Sequence, residues 1–386
     1  MAEVAILTIL LGMAAVYLGY PLLLLCLSAA APARGPGHGG HPPASVSIIV
    51  CAHNEAASIG AKLRSVFASV LGRGEAIEIL VCDDGSTDAT AAIVAGLAGE
   101  SPVPFRLMRL PRGGKAAALR EAIRISTGEI LVFSDADPLW DAATLGELLQ
   151  PFADPLVGAV AGEVRSLRSA RPGAWRAGEA LFRRYESAIR TAEDRLFGCV
   201  SADGGLFALR SHLAEPVPGD VTDDFFLSTA AVVRGYRIAF QPSAAVYEVA
   251  PDGQRQHFRR RVRITVRGLT GLWRRRALLN PLRTGAYALG LLFHKLLRRL
   301  APLLLLPLWA AMLALVLEKG EALHLALFTG LTAAAGATAM VLLLPLRVPK
   351  LLRLPAYLGI HVGGLAIGTI LFVSGKRYTQ WAPQKR

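Results

Sequence analysis

The chain has little with which to staple itself. Its 386 residues include four cysteines, at 26, 51, 82 and 199, with no paired spacing among them. That pattern excludes a disulfide framework or a Cys-rich metal site. Cys51 and Cys82 end strand-like apolar runs, where a free thiol behaves as a small buried hydrophobe, so a reducing, cytosolic compartment is expected. Charge is scarce too: 18% of residues are charged against 53% hydrophobic, and the mean hydropathy is +0.42, too apolar for an ordinary soluble enzyme. Residues 4–33 carry no charge at all and are long enough to cross a bilayer core. No basic residue precedes this run, so it reads as an uncleaved anchor rather than a signal peptide. Acids are absent between residues 253 and 317, which hold thirteen of the 42 lysines and arginines; the rest of the chain is neutral. This basic block adjoins apolar segments, so its anionic partner is membrane lipid and not nucleic acid. Also lacking is Gly-x-x-x-x-Gly-Lys-Ser/Thr, so Gly113-Gly114-Lys115 is not a P-loop.

What is present centres on residues 130–137, Ile-Leu-Val-Phe-Ser-Asp-Ala-Asp. Four apolar residues suit a strand buried on both faces, and ligands of open α/β sheets sit beyond the carboxyl ends of strands. Asp135 and Asp137 should therefore project into a cleft, where carboxylates at i and i+2 can share a hard divalent cation with substrate phosphates. An isolated Asp-x-Asp is more often a solvated turn; its company changes the balance. Strands at 46–51, 77–82 and 105–110 alternate with helices at 57–70 and 116–125, which predicts a mostly parallel sheet. Their exits carry His53-Asn54-Glu55, Asp83-Asp84-Gly85-Ser86-Thr87-Asp88 and Arg112-Gly113-Gly114-Lys115. A lysine opening a helix opposes the dipole unless an anion lies beside it. Farther on come a strand at 157–164, a helix at 175–196, a small-residue loop at 197–205, and Thr222-Asp223-Asp224, read as a helix cap with dipole-pairing acids.

In this order the motifs resemble family 2 glycosyltransferases over residues 46–268. The resemblance implies an α/β fold of the GT-A type, Rossmann-like with a mostly parallel sheet, joined to transmembrane helices. It also implies an inverting enzyme that uses a nucleotide-diphosphate sugar and Mg²⁺ or Mn²⁺. Carried over residue by residue, Glu55, Asp83, Asp84, Lys115 and Asp135 belong to the nucleotide-sugar site, and Asp135 and Asp137 to the metal. Asp203, Gly204 and Asp223 border the acceptor. Asp224 becomes the catalytic base, with Asp223 in place of the Glu of the family's Thr-Glu-Asp motif; inversion in one displacement needs such a carboxylate near the acceptor hydroxyl. Gln256 and Arg259 match the Gln-x-x-Arg-Trp motif of processive members, but Arg260 replaces the tryptophan, and a register in which Arg260 or Arg263 clamps the diphosphate stays open. The implied reaction is transfer of a hexose or N-acetylhexosamine from a UDP-sugar to a growing polysaccharide. Alternatives are a non-processive transferase acting on a lipid such as polyprenyl phosphate, and a non-catalytic membrane sensor of nucleotide or lipid. Implied partners are the nucleotide sugar, a glycan or lipid acceptor, membrane lipids and an accessory secretion subunit.

The expected organisation is an anchor at 1–33, a Pro/Gly/Ala-rich linker at 34–45 and the transferase domain at 46–252. Basic interfacial helices with a gating-like motif follow at 253–299, then a membrane region at 300–386. In the basic helices, Arg267 and Arg274 to Arg276 should face headgroups, with Leu269, Leu272, Trp273, Leu278 and Leu279 as apolar anchors. Uncharged runs at 300–317, 322–346 and 354–375 are of spanning length. A cytosolic catalytic domain at the inner membrane puts residues 318–321 outside and 347–353 inside, as the positive-inside rule asks. Lys376, Arg377, Lys385 and Arg386 would then lie outside, which makes a re-entrant last segment the alternative. Glycine pairs 359/363 and 364/368 predict close helix packing.

Overall fold

Alternation within the strands sets the layers. A computed structural model describes residues 1–32, 43–166, 174–248, 254–343 and 353–379. Most of the expected linker, the loop at 347–352 and the basic residues Lys385 and Arg386 lie outside the described residues. The catalytic region comprises β1 (Ser45–Ala52), α2 (Ile59–Val70), β2 (Ala76–Asp84), α3 (Thr90–Gly96), β3 (Phe105–Leu110), α4 (Lys115–Ile125) and β4 (Ile130–Asp135). It continues with β5 (Leu139–Trp140), α5 (Thr144–Leu149), β6 (Val157–Ser166), α6 (Ala174–Leu196), β7 (Phe207–Arg210), α7 (Asp223–Val233) and β8 (Arg237–Glu248). The helix preceding them is α1 (Ala2–Ala30).

The strands form one sheet in the order β3-β2-β1-β4-β7-β6-β8-β5. β1 to β4 pair in parallel, as the strand–helix alternation predicts. Beyond β4 the sheet becomes mixed, because β7 runs antiparallel to both β4 and β6. Both faces are covered. Val46, Ile48 and Val50 of β1 and Ile130 and Val132 of β4 join α2 and α5 in one core layer. Ile49, Cys51, Leu131 and Phe133 point the other way, onto α4 and α7. This two-residue period is what buries continuous apolar strands on two sides. The four cysteines are free, and three are buried.

After the sheet come α8 (Gln254–Arg274), α9 (Ala286–Lys319), α10 (Ala322–Leu343) and α11 (Arg353–Val373). Among the described residues, four helices, α1 and α9 to α11, are long and apolar enough to cross a membrane. Leu7, Leu11, Leu22, Leu323 and Leu327 are each more than half exposed, an arrangement that suits lipid and not water. α9 starts well before residue 300, since its cations turn inward: Arg298 pairs with Glu186 of α6. The headgroup role expected for α8 is corrected. Leu269 and Leu272 are buried inside the protein, Arg267 donates to the Val221 carbonyl, and Arg274 pairs with Asp220 at 2.8 Å. Arg275 lies 4.0 Å over the Phe226 ring and pairs with Glu215. These side chains bolt α8 to the segment that leads into α7, because each finds a carboxylate, carbonyl or ring there; Trp273 and Arg276 are exposed, with Arg276 5.3 Å over the Trp273 ring. The glycine spacing works as expected: a Cβ at Gly368 would lie 2.6 Å from the Thr265 Cβ, so α11 packs directly on α8.

A buried polar network joins α6 to the apolar helices. The Tyr20 hydroxyl donates to Glu193 at 2.9 Å, and His294 lies 2.7 Å from Glu193 and 3.2 Å from Glu186. Glu193 is completely buried. Glu193→Ala leaves the buried Tyr20 hydroxyl and the Nδ1 of His294 without their partner and should cost about 3 kcal/mol. Thermal unfolding of the detergent-solubilised protein tests this; an unshifted transition would mean that the network contributes nothing to holding α1 and α9 against α6.

Candidate active site

The parallel half of the sheet delivers its loops to one edge. Ala52 stands opposite Asp83 and Cys51 opposite Asp135, so the acids ending β2 and β4 lie level on either side of β1. Asp135, at the end of β4, faces a cavity of about 390 Å³. Asn54 adopts a left-handed φ of 55°, held by its N–H donating to the Ser86 hydroxyl at 2.9 Å and its side-chain oxygen accepting from the Thr87 N–H at 2.8 Å. Glu55 follows on the cavity wall and accepts the Ser58 hydroxyl at 2.8 Å.

Asp83 and Asp84 lie beside the cavity and do not line it. Asp84 accepts from the backbone N–H of Gly113 at 2.7 Å and of Gly114 at 2.9 Å, and pairs with Arg112. Asp83 accepts from the Ser86 N–H at 3.2 Å. Asp84 thus shapes the glycine turn that presents Lys115. The Lys115 ammonium sits 2.6 Å from Asp135 and 2.7 Å from Asp223. Burial opposes its charge, but the two carboxylates outweigh that and hold it well above the usual lysine range. One lysine therefore locks the end of β4 to the start of α7.

Asp137 is pushed up to about 7 by burial and by the charges of Glu248 and Asp135. Asp224 is raised to about 6, first by burial and then by Asp223 and Asp203. It accepts from the Phe225 N–H at 2.7 Å in the first turn of α7; Thr222 is the N-cap residue, but its side chain makes no capping bond, contrary to the sequence expectation. Gly204 separates the two halves of the site. A Cβ there would lie 3.3 Å from an Asp135 oxygen and 3.8 Å from an Asp224 oxygen, so both carboxylates open onto one gap that the missing side chain keeps clear. Asp203 pairs with Arg190 at 3.6 Å, and although burial would raise it, Arg190 and Arg183 hold it below the usual range.

Several positioning residues escaped the sequence reading. Lys62, wholly buried, donates to the Ser134 hydroxyl at 2.6 Å and the Pro138 carbonyl at 2.8 Å, and burial draws it down to about 7. Ser134 in turn donates to the Gly205 carbonyl at 2.7 Å, tying the Asp135 turn to the Gly204 loop. Glu248, ending β8, pairs with Arg183 at 2.8 Å and Arg260 at 3.2 Å. The available signals were an acid closing the Ala244-Ala245-Val246 run and a lysine at an inward position of α2. On α8, Arg260 and Arg263 line the cavity, whereas Arg259 is exposed and, like Gln256, lies outside its lining. Adjacent helical residues point about 100° apart, and here that turn carries Arg260 to the cavity and Arg259 to the exposed side.

Among the described residues, no group of three or more His, Cys, Asp or Glu is set to hold a metal alone. Asp135 and Asp137 supply two carboxylates, which suffices for an ion that keeps waters and takes substrate phosphates. Glu248 and Asp135 add to burial in raising Asp137, and a divalent cation at Asp135 and Asp137 would relieve that repulsion.

Residues 47–212 match the model of glycosyl transferase family 2, and residues 130–344 that of glycosyl transferase family group 2. The chain belongs to glycosyltransferase family 2. A curated relative, poly-beta-1,6-N-acetyl-D-glucosamine synthase of Staphylococcus aureus, is 27% identical over 56% of this chain and 53% of its own length. An N-acetylglucosaminyltransferase of Mesorhizobium japonicum is 26% identical over 60% of this chain and 58% of its own. The chain thus spans about half the length of the curated relatives it matches. The solved mannosyltransferase PcManGT of Pyrobaculum calidifontis, in complex with GDP-Man and Mn²⁺, superposes with a TM-score of 0.74 at 25% identity, covering 97% of this chain and 100% of that one. The GT-A fold with attached apolar helices, which the motif order implied for this family 2 glycosyltransferase, is therefore its architecture. Membership of a transferase family also sets aside the non-catalytic sensor.

Proposed function

We propose that this family 2 glycosyltransferase moves a hexose or N-acetylhexosamine from a UDP-linked sugar onto an acceptor hydroxyl at the membrane, inverting the anomeric carbon in one displacement. The observation that carries this reading is the gap at Gly204, onto which Asp135 and Asp224 both open. Asp224 accepts the proton of the attacking hydroxyl, and a base whose pKa lies near 6 is charged at neutral pH yet still basic enough to serve. Lys115 and Arg260 set positive charge on the donor side. A divalent cation held by Asp135 and Asp137, Mg²⁺ or Mn²⁺, would offset the charge that gathers on the departing diphosphate. The Mn²⁺ and nucleotide sugar of the mannosyltransferase support this, as do the N-acetylglucosamine-related names of the curated relatives.

Four apolar helices and the basic α8 support a multi-pass inner-membrane protein with its catalytic domain in the cytosol. A growing polysaccharide as acceptor, served by an accessory secretion subunit, is supported by the synthase relative. A lipid acceptor is favoured by cavity walls that come from candidate spans. Incubating membranes with radiolabelled UDP- and GDP-linked hexoses and N-acetylhexosamines, then sizing and solvent-partitioning the products, tests donor and acceptor together. Label transferred from a UDP-sugar supports the proposal; transfer from GDP-sugars alone would overturn the donor, and no transfer from any of them the function.

A further inference from the structure

The cavity does not stop at the carboxylates. Its far wall is built by α8, α9 and α11, and it carries Arg261, Lys295 and Arg299 beside Tyr357, Ile360 and His361. Most cations around the cavity are matched: Lys115 with Asp135 and Asp223, Arg183 and Arg260 with Glu248, Arg190 with Asp203. Glu186, which also lines the cavity, is taken by Arg298 and His294. Among the described residues, Arg261, Lys295 and Arg299 form no ion pair. Arg261 rests 5.5 Å over the Phe182 ring, and Arg299 donates to the Lys295 carbonyl at 2.8 Å. Burial and the neighbouring cations Arg260 and Arg298 draw Arg261 down to about 10.

Two glycines are cut to admit these arginines. A Cβ at Gly268 would lie 2.8 Å from the Arg299 guanidinium, and one at Gly364 2.7 Å from the Arg261 side chain. Helix surfaces have thus been hollowed to hold unmatched cations together, an arrangement that is costly unless an anion completes it. We propose that Arg261, Lys295 and Arg299 bind the phosphate or diphosphate of a lipid-linked sugar, whose free hydroxyl is thereby presented to Asp224.

This rests on the transferase reading above and names its acceptor. The neighbouring Asp224 decides which atom reacts. A lipid phosphate oxygen is already anionic, needs no base and would be repelled by that carboxylate, whereas a sugar hydroxyl needs one. The hydroxyl oxygen bonds to the anomeric carbon of the donor sugar. The bond from that carbon to the nucleoside diphosphate breaks, its electron pair leaves with the diphosphate, and the proton passes to Asp224. The phosphate of the acceptor stays intact, gripped by guanidinium groups suited to it.

The test is binding of farnesyl diphosphate, UDP and GDP to the solubilised full chain, separately and together. In the wild type, farnesyl diphosphate should bind alongside the preferred nucleoside diphosphate, and inorganic diphosphate and farnesol should each compete with it at least about tenfold more weakly. Arg261→Gln and Arg299→Gln should each weaken farnesyl diphosphate about tenfold and leave nucleotide binding unchanged. Mutual exclusion of the two ligands in the wild type would overturn the subsite without recourse to variants. So would inorganic diphosphate competing as well as the lipid, equal loss of both ligands in the variants, or no loss of either. Turnover of a neutral alkyl glycoside with no binding of farnesyl diphosphate would leave the transferase reading standing and remove only this one.

Discussion

Asp224→Asn is expected to bind nucleotide almost as the wild type does and to transfer almost no sugar. In the proposed scheme Asp224, which opens with Asp135 onto the Gly204 gap, meets the acceptor and not the nucleotide. A group that acts on the hydroxyl in the transition state lowers turnover, whereas one used equally in the ground state raises the Michaelis constant. Loss of a positioned base costs roughly 10²–10⁴-fold in rate. The direction of its pKa adds a second readout. Raised to about 6, Asp224 holds its proton below that pH and loses it above, so wild-type turnover should fall as pH drops through about 6 and level off toward neutrality. Titrating nucleotide against the variant while measuring transfer separates the roles; an affinity that collapses together with transfer would make Asp224 a donor-site or structural residue.

Asp137→Asn is expected to abolish turnover by a different route, through the metal and diphosphate. Removing electrostatic stabilisation of a leaving group costs about 10²–10³-fold or more, and EDTA should reproduce the loss in the wild type. The fold should not suffer. In the folded chain Asp137 gives up its proton only near pH 7, against 3.8 ordinarily, because of burial and the charges of Glu248 and Asp135. Its ionised form therefore opposes folding above that ordinary value, and the neutral amide relieves the repulsion. Unchanged or improved thermal stability, weakened Mn²⁺ binding and lost turnover are expected together. Wild-type rates in the variant, or full activity in EDTA, would remove the metal from the scheme.

The sequence by itself determined the parts whose reason is local. An apolar run ending in Asp-x-Asp needs only the period of a strand to place its carboxylates at a sheet edge, and an uncharged run such as 4–33 needs only its length to suit a bilayer. The order of such motifs was enough for the family and the fold. The antiparallel insertion of β7 between β4 and β6 was not legible, since four residues of strand leave no periodic trace. The α8 leucines and arginines were misread because an amphipathic basic helix has the same pattern whether it meets headgroups or, as here, the Val221 carbonyl, Asp220 and the Phe226 ring. What only the tertiary structure decided is how charges are matched. Lys115 bridges residues 135 and 223, Glu248 meets Arg183 and Arg260, and Arg261 joins Lys295 and Arg299 with no ion pair among the described residues, each across a sequence separation that no spacing rule reaches. Electrostatic interaction depends on distance and burial, and both exist only once the chain has folded.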